Sequence, residues 1–194
     1  MSSAFESNRE PHPPLDSDVE IIADTRRWLE KAVIGLGFCP FAAHAHLRNQ
    51  IRYRVSTRQS TGGLLQDLAE ELHSLQAADP QLCETSLLIH PQVLADFTDY
   101  NEFLNEADAT IREMDLEGEL QIASFHPLYR YAGNATDDIE NYSNRSPYPM
   151  LHLLREASVT RAIRTFQGVD AITDRNKATL RRLGREGWQR LWRE

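Results

Sequence analysis

The 194-residue sequence predicts an α/β (or α+β) fold: a small, mainly parallel sheet of at least three strands with helices packed on it, in a single domain. Three observations predict it. Helix-period and strand-period segments alternate along the chain. The strand segments are short and bounded by turn residues. The order helix, strand, helix, strand, helix, strand favours right-handed crossovers, although two hairpins or a split motif give the same string. The length suits one domain with a core that needs neither disulfides nor metal.

Residues 1–17, MSSAFESNREPHPPLDS, mix Pro, Ser and charge without apolar periodicity. They predict a mobile tail in which His12 is inert, leaving 18–194 as the globular domain. From Asp18, the positions Ile21, Ile22, Trp28, Leu29, Val33 and Leu36 follow helical spacing, with Asp24, Arg26, Arg27, Glu30 and Lys31 largely opposite. Gly35 and Gly37 end that helix. Phe38-Cys39-Pro40-Phe41 opens a shorter one, with proline in its favoured first position and Cys39 at the N-cap. Ile51 to Val55 alternates apolar and basic, the pattern of a strand with one buried face. Thr61-Gly62-Gly63 reads as a turn before a helix through Leu64, Leu65, Leu68 and Leu72. Thr85 to His90 is a second strand, Leu94 to about Met114 a helix, and Leu120 to His126 a third strand.

The second and third strands both end in His-Pro, 36 residues apart. Coincidence is a better reading than duplication on so few matches. If the strands are parallel, however, both histidines leave the sheet at one edge. Residues 127–146 form a long loop whose aromatic content predicts order. Ser146 as N-cap and Pro147 as first residue predict a helix to about Phe166. A last helical region covers Thr173 to Leu183 and Trp188 to Trp192.

Charge narrows the partners. Lys and Arg number 21 against 29 Asp and Glu, a net of -8, which gives no general attraction to nucleic acid or anionic lipid. No apolar stretch approaches the roughly 20 residues of a membrane span, and no leader is visible. Two isolated cysteines do not make a disulfide framework or a structural zinc site, so a reducing cytoplasm is expected.

The stretch NYSNRSPYPMLHLLRE, residues 141–156, concentrates polar chemistry. At the predicted helix start Arg145 can take a carboxylate or phosphate bidentately, beside backbone N–H groups without intrahelical partners. Asn141, Asn144, Tyr129 and Tyr148 are candidate substrate-binding neighbours; the asparagines also suit loop folding through side-chain to backbone bonds. His152 and Glu156, four apart, would share a helix face as an acid–base residue and its orienter, or form a plain surface pair. His126, closing the third strand, is a second acid–base candidate or a loop anchor.

Cys39 at a helix N-cap is a candidate nucleophile, with His44 or His46 one or two turns away. Beside Phe38 and Phe41 it equally suits a small buried hydrophobe. Cys-Pro-Phe resembles the active-site tripeptide of glutaredoxins. Ala42 in place of a second cysteine, and a helical rather than extended segment before Cys39, count against a thioredoxin-like thiol protein. Asp137, Asp138, Glu140 and Asn141 offer oxygen ligands without calcium-loop spacing, so no metal is assigned. There is no His-Glu-x-x-His, phosphate loop or Gly-x-Ser-x-Gly elbow, and no cofactor is identified.

Three segments, Gly35-Leu36-Gly37-Phe38-Cys39-Pro40-Phe41-Ala42, Phe125-His126-Pro127-Leu128-Tyr129, and Asn144 to Pro149 with His152 to Glu156, resemble the signature of an uncharacterised bacterial family, domain-of-unknown-function family fourteen-fifteen. The resemblance spans about residues 18–185. It implies no reaction, but its motifs coincide with the three places singled out above. The resulting expectation is a cytoplasmic enzyme for a small anionic metabolite, with Arg145, His126 and His152 lining one pocket and Cys39 within reach. The competing class is a non-catalytic small-ligand-binding protein.

Overall fold

A computed structural model describes residues 17–165 and 172–192. Apart from Ser17, the predicted mobile tail, with His12, lies outside the described residues. Ser17 caps helix α1 (Asp18–Trp28) in a reciprocal box: its side chain accepts from the Glu20 N–H, and the Glu20 carboxylate accepts from the Ser17 N–H at 2.9 Å. Without a break, α1 widens into a π-helical segment, Leu29–Ile34. Gly37, at φ 68°, ends it in a left-handed conformation that glycine adopts freely. Helix α2 (Pro40–Leu47) follows, with Cys39 at its N-cap as expected.

The remaining order is β1 (Ile51–Val55), α3 (Thr61–Ala77), β2 (Thr85–Ile89), α4 (Phe97–Glu113), β3 (Leu120–Phe125), a 3₁₀ turn (Ile139–Asn144), β4 (Met150–Arg155), α5 (Glu156–Thr165) and α6 (Ile172–Arg190). Thr61-Gly62-Gly63 is the first turn of α3, capped by the Ser60 hydroxyl, rather than a separate turn. Among the described residues no helix is long and apolar enough to cross a membrane.

Two expectations are corrected together. The helix predicted from Pro147 is replaced by strand β4, with α5 starting only at Glu156. The sheet is mixed, in the order β1-β2-β4-β3; β1–β2 is parallel, and both β2–β4 and β3–β4 are antiparallel, so it is not mainly parallel. β4 fills the slot between β2 and β3. A strand buried on both faces reads as an apolar run that periodicity cannot tell from a helix, and pairing on both edges decides the matter. Ser146, instead of capping a helix, donates its hydroxyl to the Tyr148 carbonyl at 2.7 Å.

Helices α3 and α4 cover one face of the sheet, where Leu64, Leu68, Leu72, Tyr100 and Phe103 meet Leu88, Leu151 and Leu153. The basic side of β1 is on this face and is half-buried, its arginines paired with carboxylates of α3. Arg52 and Arg54 reach Glu71, and Arg54 also Glu70, while Ser86 donates to Glu71 at 2.7 Å. The other face carries Leu87, Ile89 and Met150 against Trp28, Val33, Leu180 and Trp188 from α1, the π-helical segment and α6. Within α6, Gly184 at φ 64° breaks the helical path, a conformation strained for any side chain, and the chain then returns Trp188 to the ring of Tyr142 at 5.1 Å.

Candidate functional site

The loop 127–146 is ordered by its own side chains and by α6. Asn141 is fully buried: its Oδ1 accepts from the Tyr131 N–H and its Nδ2 donates to the Ala135 carbonyl at 2.8 Å. Asn144 accepts from the Tyr131 hydroxyl at 2.7 Å and donates to the Ser124 carbonyl, pinning the loop to β3. Tyr129 packs its ring between Phe97 and Tyr131. From α6, Lys177 and Arg181 pair with Glu140, and Arg185 with Asp137. These acidic residues therefore face cations. Among the described residues no group of three or more His, Cys, Asp or Glu side chains is placed to hold a metal ion.

Arg145 ends the 3₁₀ turn and lines an open cleft of about 350 Å³. Its Nε donates to the Tyr129 carbonyl and its Nη2 to the Thr136 carbonyl, at 3.3 and 2.5 Å, and the guanidinium lies over the Tyr142 ring at 4.2 Å. Nη1 has no hydrogen-bond partner among the described residues. The plane of the guanidinium is thus fixed while one edge remains able to donate. Trp28, Trp188 and Trp192, all three tryptophans of the chain, form the walls. Trp28 Nε1 donates to the Arg145 carbonyl at 2.8 Å, tying α1 to the loop. Arg27 and Asp24 stand at the rim and pair at 3.3 Å, and Asp24 also accepts from the Tyr148 hydroxyl.

The structure does not bring Arg145, His126 and His152 into one pocket. His126 is sealed, although its neighbour Pro127 lines the cleft. Its Nε2 donates to the Leu94 carbonyl and its Nδ1 accepts from the Leu128 N–H, both at 3.0 Å. Burial lowers its pKa. β2 and β3 end opposite the same residue, Met150, so His90 and His126 do leave the sheet at one end. Tyr100 stands between them, its ring centroid 5.8 Å from His90 and 5.0 Å from His126. Its hydroxyl donates to the Met150 carbonyl at 2.8 Å and accepts from the Phe125 N–H at 3.1 Å.

His152 lies mid-strand on β4, on the α1 side of the sheet, and not on a helix face with Glu156. Glu156 begins α5 and lines a different surface groove, with Asp108 and Arg112. The partner of His152 is Thr85 on β2, whose hydroxyl is 2.8 Å from Nε2. With Cys39, Trp28 and Phe125, these two line a chamber of about 40 Å³. Burial pushes His152 down to about 4 and raises the Cys39 thiol, a rise that the Phe41 and Ala42 N–H groups partly offset. His152 is half-buried and lines the chamber. Cys39 and Cys83 are both free thiols.

Arg145 and Cys39 were candidates from the sequence; the groups that surround them were not. Trp28, Trp188 and Trp192 read only as apolar helix positions, and Thr85 only as the first residue of a strand. Nothing local to any of them signals the site.

The molecule is, then, a mixed α/β domain with an arginine-bearing aromatic cleft on its surface and a thiol–imidazole chamber beneath. The chain belongs to the family described as a protein of unknown function, DUF1415, whose model matches residues 20–190, as the three motifs had suggested. It matches no curated protein and no solved structure.

Proposed function

We propose that this protein binds a small organic anion in the Arg145 cleft, as an enzyme of the reducing cytoplasm whose substrate carries a carboxylate or phosphate on a flat or apolar body. The observation that carries the reading is the meeting of all three tryptophans with a guanidinium whose orientation is fixed by two loop carbonyls. Aromatic walls bury the body of a ligand, and the planar fork takes the anionic end. The volume of about 350 Å³ suits a metabolite rather than a polymer. In a chain of net charge -8, a cation held in an aromatic recess supplies local selectivity that the overall field opposes.

The test uses the tryptophans as reporters. A panel of aromatic and aliphatic carboxylates and phosphate esters should quench or shift tryptophan emission and raise the melting temperature. Arg145→Ala should remove both responses. Arg145→Lys, which keeps the charge but not the stacked fork, should retain at most a small part. Equal responses in the parent and Arg145→Ala proteins would reject the anion site.

A further inference from the structure

Behind the cleft, Trp28 is also a wall of the chamber that holds Cys39 and His152. One side chain thus separates an anion-binding surface from a thiol and an imidazole. It is the last residue of α1, where the helix passes into the π-helical segment that contributes Leu29 and Val33 to the chamber. π-helical turns inside helices occur frequently at functional sites.

The tautomer of His152 follows from its neighbours. Thr85 donates its hydroxyl proton to the Leu153 carbonyl at 2.6 Å, so its oxygen must accept from His152 Nε2–H at 2.8 Å. The lone pair is therefore on Nδ1, which has no hydrogen-bond partner among the described residues. Nδ1 is not sealed either; among the described residues the sealed, unpartnered side-chain atoms are His90 Nε2 and Arg155 Nε. The open space that His152 lines is the chamber it shares with Cys39. Cys39 itself stands at the N-cap of α2, beside the positive end of the helix, and makes no side-chain cap hydrogen bond. The helix end opposes the burial that raises the thiol.

We propose that Cys39 is a nucleophile and His152 its general base, acting on the ester or thioester carbonyl of an organic anion delivered through the cleft. The chamber, about 40 Å³, admits a carbonyl group rather than a whole metabolite. Cys39 Sγ bonds to the carbonyl carbon, the thiol proton passes to His152 Nδ1, and the carbonyl π pair moves to oxygen. Return of that pair breaks the bond to the alkoxide or thiolate leaving group, which takes the proton from Nδ1. Water then repeats the sequence and releases the acid. Thr85 is a positioning residue that fixes which ring nitrogen is basic. The proposal rests on the cleft reading for delivery of the substrate, not for the pair itself.

Alkylation separates the two. In full-length protein carrying Cys83→Ser, Cys39 is treated with iodoacetate or with its neutral counterpart iodoacetamide, and the product is followed by peptide mass mapping against pH. The S–C bond forms, iodide leaves, and the proton goes to His152. Both reagents should modify Cys39 in the native protein. His152→Gln should slow both by roughly tenfold or more and remove the imidazole step from the pH–rate profile. Arg145→Ala should slow iodoacetate alone; if it does not while His152→Gln slows both, the cleft reading fails and the pair stands. Equal rates with and without His152, or a Cys39 that reacts only in urea, would overturn the pair. Should His152→Gln not fold, Thr85→Val decides: an unchanged rate and pH profile would overturn the proposal.

Discussion

His126 holds two backbone groups that have no other partner among the described residues. Its ring accepts from the Leu128 N–H and donates to the Leu94 carbonyl, and Leu94 sits at φ 62°, unusual for a residue with a side chain. His126→Ala should therefore lower stability by about 2–4 kcal/mol, because it leaves the Leu94 carbonyl and the Leu128 N–H unpaired. A urea titration measures it. The buried imidazoles also set a pH dependence. His90 and His152 are both pushed down to about 4 by burial, against an ordinary value of 6.5. Below pH 6.5 the unfolded chain takes up protons that the native state refuses, so stability is full above that pH and falls as pH drops toward 4. At pH 5 the loss is about 2 kcal/mol per histidine relative to pH 7.5, at ~1.4 kcal/mol per pH unit. Urea midpoints at the two pH values check this, and a variant lacking either histidine should lose less.

At the scale of elements, the junction of β1 and α3 depends on buried charge. Glu71 and Asp67 are both buried; Glu71 serves Arg52, Arg54 and Ser86, while Asp67 serves Arg58 and Ser56. Glu71→Ala should cost about 1–3 kcal/mol, because it takes the acceptor from Arg52 and from the buried Ser86 hydroxyl while Arg54 keeps Glu70 and Asp67, whereas a volume-matched apolar replacement of the whole network would cost less. Chemical denaturation of both variants tests the difference. This network marks where the sequence could and could not be read. The alternation at Ile51 to Val55 predicted a strand with one buried face, but every position is half-buried, because the basic side pairs with carboxylates on a helix elsewhere in the chain. The helix α1 was legible because its apolar stripe is one-sided. The strand β4 was not, since Met150 to Leu154 are needed on both faces and Ser146-Pro147 mimics a helix start. Arg145 was legible as a cation in a polar stretch. The cleft around it was not, for Trp28 lies 117 positions away and Trp188 reaches it only through the break at Gly184.

For the whole molecule, the three tryptophans report on one place, where α1, the loop and α6 meet. β4 couples that place to the rest of the sheet, because it pairs on one edge with β2 and on the other with β3. Tryptophan emission and far-ultraviolet circular dichroism should therefore trace one coincident unfolding transition in urea; separated midpoints would mean that α6 and the loop release first. In hydrogen exchange, the β4 amides should open only with global unfolding, while the Glu140 clasp on α6 opens earlier.

The late position of β4 in the chain also has a consequence during synthesis. A ribosome delivers β1, α3, β2, α4 and β3 before the strand that belongs between β2 and β3 exists. Until Met150 to Arg155 emerge, each of those neighbours offers a bare apolar edge to any other extended segment, including one from another nascent chain. Sheet closure must wait until Met150 to Arg155 have been synthesised, and those two edges are where pairing between nascent chains would start.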